Sequence, residues 1–278
     1  VLKDLIKRAL SGIVFVTVII GSICLHPYAF LILFILITFF TLWEFYGLTG
    51  QYGSAPVKRF IYSLGGAYLF AATFVYAHDL IDGIVFLPYL AFLMFVLIME
   101  LYYKDPNPIK NWSLSFFAQF YCAGSFSILN FISAVPNTPG VVNHTPLFVL
   151  AIFIFIWLND TGAYLIGSLF GKHRLFERIS PKKSWEGFWG GFIVATLSSQ
   201  VFAWYEPTIS WYVWGGFAMV VVVFGTWGDL IESLLKRTLL VKDSGHFLPG
   251  HGGLLDRFDS LLLAVPAAYI YIELFIRN

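Results

Sequence analysis

The densest grouping of residues able to do chemistry runs from Asp229 to Asp259. Asp229, Ser233, Lys236 and Arg237 recur at three- and four-residue spacings, with Glu232 among them, so on a helix they share part of one face. Lys242-Asp243-Ser244-Gly245 follows, and then Pro249-Gly250-His251-Gly252-Gly253-Leu254-Leu255-Asp256-Arg257-Phe258-Asp259. Three glycines around one histidine let backbone amides approach an anion closely. Asp256 and Asp259 are three apart, and project to one side if a helix has begun by then. Hard carboxylate oxygens with no accompanying cysteine, set among cations, point to Mg²⁺ shared with phosphate oxygens and not to zinc. His251 is open between a ligand or base and a group that orients backbone or touches phosphate, with the latter preferred.

Two further groups are separate in sequence. The stretch 171–187 contains Ser180-Pro181-Lys182-Lys183-Ser184 just before a helical run. Two ammonium groups flanked by hydroxyls at a helix N-terminus suit a polyphosphate. The same cations also have a purely topological reading, because loops on the cytoplasmic side of membrane proteins collect Lys and Arg. Composition leaves the two readings open. Asn159-Asp160-Thr161 lies about ten residues inside an apolar run, where ionisable groups are expensive and mark sites or polar packing networks. Glu44 and Glu100 fall near span ends and read as hydrated or paired with a basic neighbour.

The elements that must position these groups are set by composition. Of 278 residues 59% are hydrophobic, 19% aromatic and only 12% charged, with a formal net charge of +1, and the mean hydropathy is +0.79. A soluble domain carries about 25% charged residues, so a water-exposed surface is excluded. The small net charge also excludes bulk attraction to nucleic acid. Two cysteines, Cys24 and Cys122, both in apolar runs, make no disulfide framework or zinc site and read as small buried hydrophobes.

A membrane-crossing helix needs about 20 mainly apolar residues. Such runs lie near 9–25, 28–48, 60–76, 83–103, 112–134, 146–170, 187–205, 211–235 and 259–278, with turn chemistry at Val135-Pro136-Asn137-Thr138-Pro139-Gly140 between the fifth and sixth. The expectation is an all-α polytopic membrane protein of about nine spans. Lys3, Lys7, Arg8, Lys58, Arg59, Lys104, Lys110, Lys172, Arg174, Arg178, Lys182, Lys183, Lys236, Arg237, Lys242 and Arg257 then share one side, and of the 17 basic residues only Arg277 falls opposite. By the positive-inside rule the N-terminus is cytoplasmic and the C-terminus external. The chain reads as an N-terminal scaffold of about five helices, 1–145, followed by a catalytic region, 146–278, with cytoplasmic site loops at 171–187 and 236–258.

Together, Ser233-Leu-Leu-Lys236-Arg237, Lys242-Asp243, His251-Gly252-Gly253, Asp256-Arg257 and Asp259 resemble the signature of the phosphatidate cytidylyltransferase, or CDP-diacylglycerol synthase, family. Asn159-Asp160-Thr161, Ser180 to Gly187 and Gly228-Asp229 are similar to that family's other motifs, in its order, and the close resemblance runs from 157 to 260. It implies transfer of a cytidylyl group from CTP to phosphatidic acid, with Mg²⁺ and room for a second cation of unspecified identity. It also implies a homodimer in a bacterial-type inner membrane, its site facing the cytoplasm, with membrane lipid and no nucleic acid as partner. Bringing two polyanions together is the obstacle in such a reaction, and it assigns roles. Asp229 and Asp256 hold the metal, with Asp259 as a further ligand or a carboxylate behind it. Lys182, Lys183, Lys236 and Arg237 hold phosphates in line, and Asn159, Asp160, Ser180, Ser184, Lys242, His251, Gly252, Gly253 and Arg257 face substrate. A CTP-dependent polyprenol or dolichol kinase is the alternative enzyme. A secondary transporter is the alternative class, for which acidic groups deep in the bilayer are expected.

Overall fold

The computed structural model describes residues 2–50, 56–103, 107–138, 141–245 and 252–277. Ten α-helices carry most of it: α1 Leu2–Leu25, α2 Pro27–Leu48, α3 Pro56–Ala77, α4 Leu87–Tyr102, α5 Pro108–Ala118, α6 Ser125–Ser133, α7 Leu147–Phe170, α8 Trp185–Tyr205, α9 Trp211–Thr238 and α10 Leu255–Phe275. Local chemistry sets several starts. His26 caps α2 by accepting from the Tyr28 amide at 3.2 Å, Asn107 caps α5 through the Lys110 amide at 3.1 Å, and proline opens both helices.

Seven helical stretches among the described residues are long and apolar enough to cross a membrane: 27–48, 57–77, 83–102, 108–133, 147–170, 211–238 and 255–275. This is the architecture of a polytopic helical membrane protein. Two of the nine expected spans fall outside that seven. The apolar part of α1 is only Ser11–Leu25, and α8 is diluted by Gly187, Gly190, Gly191, Ser198, Ser199 and Gln200.

The chain is all-α as expected, with two short antiparallel hairpins between helices. Strands β1 (Ala134–Thr138) and β2 (Val141–His144) pair where turn chemistry was expected. Strands β3 (Arg174–Phe176) and β4 (Ser180–Ser184) pair within the basic stretch, with Arg174 opposite Ser184 and Phe176 opposite Ser180. Of the cysteines, Cys122 is buried as expected, whereas Cys24 is exposed.

The helices cluster into two compact units, residues 1–146 with 243–257, and residues 147–242 with 258–278. In the first, Phe34 meets Phe30 at a centroid distance of 4.6 Å, Phe70 at 6.0 Å and Phe126 at 6.4 Å. Lipid is as apolar as these rings, so close packing and interhelical hydrogen bonds, more than hydrophobicity, hold such helices together. Between α5 and α6 the chain makes a π-helical turn, Gln119–Gly124, which keeps α5 and α6 one continuous rod. It turns the buried Gln119 amide to donate to Tyr46 Oη at 2.9 Å and to the Tyr62 carbonyl at 2.8 Å. Lys58 and Glu100 form a buried pair at 3.2 Å, completed by Asn111 donating to Glu100 at 3.0 Å, so Glu100 is paired with a basic neighbour. In the second unit Trp214 stacks between Phe148 and Phe202 at 5.3 and 5.4 Å.

Three imidazoles converge in the first unit, outside the spans. His78 and His144 stack with centroids 5.7 Å apart, and His144 also feels His26. Nδ1 of His78 lies 3.0 Å from the Phe74 carbonyl and Nε2 of His144 lies 3.3 Å from that of Ile23. Burial holds both groups below the ordinary histidine value, and the neighbouring imidazoles add to this at His144. A folded-state value below the unfolded one gives stability that is present above the unfolded pKa, about 6.5, and is lost as pH falls through the folded value. The melting temperature in detergent is therefore expected to drop as pH is lowered from 7.5 towards 5.5, and His144→Gln should flatten that slope. An unchanged slope in the variant would remove the imidazole pair as its cause.

Candidate functional site

Within the second unit a cleft of about 570 Å³ opens between α7, α8, α9 and the β3–β4 hairpin. It is lined by Asn159, Asp160, Lys182, Lys183, Ser184 and Asp229, so three sequence-separated motifs meet there. Glycine makes the meeting sterically feasible. A Cβ on Gly162 of α7 would stand 3.0 Å from Gly191 Cα of α8, and one on Gly187 would stand 2.8 Å from the Ala163 carbonyl. The two helices therefore touch backbone to backbone, as small residues allow in membrane helix pairs. Ser184 ends β4, is buried, and caps α8 by accepting from the Gly187 amide at 3.1 Å, which fixes where the preceding lysines stand. Glu186 ties the other end of the stretch down, with an oxygen 2.6 Å from His173 Nδ1 and bonds from the Lys172 and His173 amides at 3.2 Å.

Lys183 is ion-paired with the Asp229 carboxylate, whose other oxygen accepts from Ser233 at 3.2 Å. Asn159 is buried and lines the cleft, and its Oδ1 has no hydrogen-bond partner among the described residues. Lys182 is exposed at the mouth. Asp259 interacts electrostatically with Asp229, Glu232 and Asp160, and accepts from the Ser260 amide at 2.5 Å.

Other expected residues stand elsewhere. Ser180 opens β4 opposite Phe176 and is not among the cleft-lining residues. Lys236 pairs with the fully buried Glu232 at 2.5 Å. Arg237 donates to the Ile179 carbonyl at 3.3 Å, fastening the β3–β4 turn to α9. Lys242 is exposed at the end of this unit. In the first unit, Asp256 accepts from the Ser244 and Gly253 amides, each at 2.9 Å. Gly252 has φ +79, a left-handed conformation that suits glycine, and a Cβ there would stand 2.8 Å from Asp256 Oδ2. Within these described residues, therefore, the anion that the Gly-rich amides approach is an internal carboxylate. Arg257 is exposed, and His251 lies outside the described residues.

No three His, Cys, Asp or Glu side chains among the described residues stand as a ready chelate. The carboxylates lining the cleft are nevertheless Asp160 and Asp229, with Asp259, not among the lining residues, interacting electrostatically with both and the Lys183 ammonium already on Asp229. That fits a cation such as Mg²⁺, which is commonly held by one or two carboxylates and completes its shell with water and substrate phosphate.

Sequence reasoning missed Arg174, Thr226 and Ser260, which also line the cleft. Arg174 enters through its strand pairing opposite Ser184, a register invisible while 171–187 is read as a loop. Ser260 enters because α10 passes so close to α9 that a Cβ on Gly228 would stand 2.7 Å from the Asp259 carbonyl.

A family model described as the cytidylyltransferase family matches residues 6–275. Among curated proteins, the phosphatidate cytidylyltransferase of Staphylococcus aureus strain COL is 44% identical over 122 residues, covering 43% of this chain and 46% of the relative. The protein of the same name from Staphylococcus epidermidis strain RP62A is 46% identical over 121 residues with the same coverages. That from Staphylococcus saprophyticus is 45% identical over 122 residues, again with 43% and 46% covered. The chain thus spans about half the length of the curated relatives it matches.

Proposed function

The chain belongs to the cytidylyltransferase family, and on that premise we propose that it transfers the cytidylyl group of CTP to phosphatidic acid, giving CDP-diacylglycerol and pyrophosphate. The observation that carries this reading is the cleft that gathers Lys182, Lys183, Asn159, Asp160 and Asp229 at the polar end of apolar helices. A phosphatidate oxygen attacks the α-phosphorus, a new P–O bond forms, the bond to the bridging oxygen breaks, and pyrophosphate departs. No general base is required, since a phosphate monoester is already ionised near neutral pH.

Lys182 and Lys183 hold phosphate oxygens in line, and their positive charge offsets the repulsion between the two polyanions. Asn159, which lines the cleft, contacts the nucleotide. Arg237 acts from behind the site by holding the hairpin through Ile179, and Lys236 balances Glu232. Asp229 and Asp259 are the carboxylates suited to Mg²⁺, which when bound supplies neutralisation of the reacting and leaving phosphates. The assignment of Asp256 to the same ion rests on its motif.

The reading extends to nine spans with the N-terminus and site loops cytoplasmic, supported by the one-sided placement of basic residues, and, from the family resemblance, to a homodimer in a bacterial inner membrane. One experiment tests activity and orientation together. Labelled CTP and Mg²⁺ are added to sealed vesicles containing the protein and phosphatidic acid, oriented either inside-out or right-side-out. The expected result is a lipid-soluble cytidine product with released pyrophosphate in inside-out vesicles, and in right-side-out ones only after permeabilisation. Release of CDP would point to the lipid-kinase alternative, and no lipid-soluble cytidine in either orientation or in detergent would overturn the assignment.

A further inference from the structure

A carboxylate from far upstream is built into the segment that carries the His-Gly-Gly and Asp-Arg motifs. Glu44, near the end of α2, is 7% exposed. Its Oε2 accepts from Ser244 Oγ at 3.1 Å and from the Leu255 amide at 2.9 Å, across 200 and 211 residues of sequence. Leu255 is the first residue of α10, so its amide is one of those a helix leaves without an internal partner. A negative charge there also meets the favourable end of the helix dipole. The next amide, Asp256, donates to Ser244 Oγ at 3.3 Å, and Asp256 returns the contact by accepting from the Ser244 amide. The start of α10 is thus capped by two residues outside it, one of them on another helix.

The surrounding glycines are fitted to this carboxylate. A Cβ on Gly245 would stand 2.8 Å from Glu44 Oε1, and one on Gly253 would collide with Ser244 Oγ and Glu44 Oε2. Arg59 interacts electrostatically with Glu44 and stacks over Trp43 at 4.2 Å, which supplies the opposite charge that a buried carboxylate needs. A residue serving only to join α2 to its helical neighbours would not require a carboxyl group at this depth, nor glycines shaped around it.

We infer that Glu44 is the positioning residue for residues 243–245 and 252–257, fixing Gly253, Asp256 and Arg257 for the reaction by capping α10 from α2. The inference rests on the proposed function for its catalytic consequence, but its structural half is measured separately. Amide exchange in lipid nanodiscs is followed at Ser244, Gly253, Leu255 and Asp256, together with cytidylyl transfer. In Glu44→Ala, exchange at these four amides is expected to rise by about tenfold or more while α7 and α8 exchange as in wild type, and kcat to fall by about tenfold or more with a smaller change in KM for CTP. Glu44→Gln keeps an acceptor oxygen and recovers part of both. Gly245→Ala, whose methyl displaces the carboxylate, reproduces the effect in a wild-type background and adds little on top of Glu44→Ala.

Unchanged exchange at the four amides overturns the inference, as does a rise spread evenly over every helix with turnover per folded molecule intact. If wild-type protein makes no cytidine lipid while the four amides still respond, the anchor stands and the functional reading falls.

Discussion

Asp229→Asn is expected to lower turnover by about 10²-fold or more, equivalent to about 2.7 kcal/mol or more of transition-state stabilisation. Asparagine keeps the size of the side chain and can still accept from Ser233. What it loses is the charge that pairs with Lys183 and that would hold a divalent cation. The change should shift the Mg²⁺ dependence of activity to higher concentration, and should leave the melting temperature nearly unaltered. Two effects on stability oppose each other here. The Lys183 pair is partly solvated, with side chains 28% and 26% exposed, so its loss costs little. Removing one acid also relieves its repulsion with Asp259. Asp256→Asn is expected to be comparably slow, but it also weakens acceptance from the Ser244 and Gly253 amides, so some loss of thermal stability belongs to that variant alone. A polar packing role predicts the opposite pattern at Asp229: lower melting temperature, modest loss of turnover and an unaltered Mg²⁺ titration. Measuring all three on one preparation decides between them.

The second large effect is expected at Lys183. Lys183→Ala should cut kcat/KM by about 10²-fold and raise the apparent KM for CTP, since a charge-assisted contact to phosphate disappears from the cleft. Lys183→Arg keeps the charge but replaces a compact ammonium with a planar fork, and should recover only part. Because Lys183 and Asp229 touch, their losses should combine less than multiplicatively. Insertion should be unaffected, because Lys172, Arg174, Arg178 and Lys182 remain in the same stretch to hold its topology. Wild-type turnover and CTP affinity in Lys183→Ala would leave the stretch with topology as its sole role.

The helical skeleton was legible because a bilayer imposes one length on anything that crosses it, and α2, α7 and α9 lie within a few residues of the apolar runs near 28–48, 146–170 and 211–235. Lys182, Lys183, Asn159, Asp160 and Asp229 stood out for the complementary reason, being polar groups in a chain that offers few. What the sequence concealed is what depends on pairing. Arg174 joins the cleft through a strand register that only the folded hairpin defines. Lys236 meets Glu232 at an i,i+4 spacing that α9 makes visible, but nothing along that helix tells of Ile179 waiting beside Arg237. Glu44 is the extreme case, because a bond across 200 residues leaves no local trace.

The backbone contact between α7 and α8 has a consequence for biosynthesis. Alone, α8 is a poor candidate for partition into lipid, since the glycines and serines that let it lie against α7 are the residues that depress its hydropathy. On the nine-span reading its entry into the bilayer is coupled to that of α7, the pair inserting as a helical hairpin whose exposed surfaces are mostly those that lipid accepts. The turn of such a hairpin is the basic stretch itself, and its positive charges resist translocation. Delivery of Lys182 and Lys183 to their side of the membrane and closure of the helix pair that shapes their cleft are, on this account, one event in the maturation of the protein.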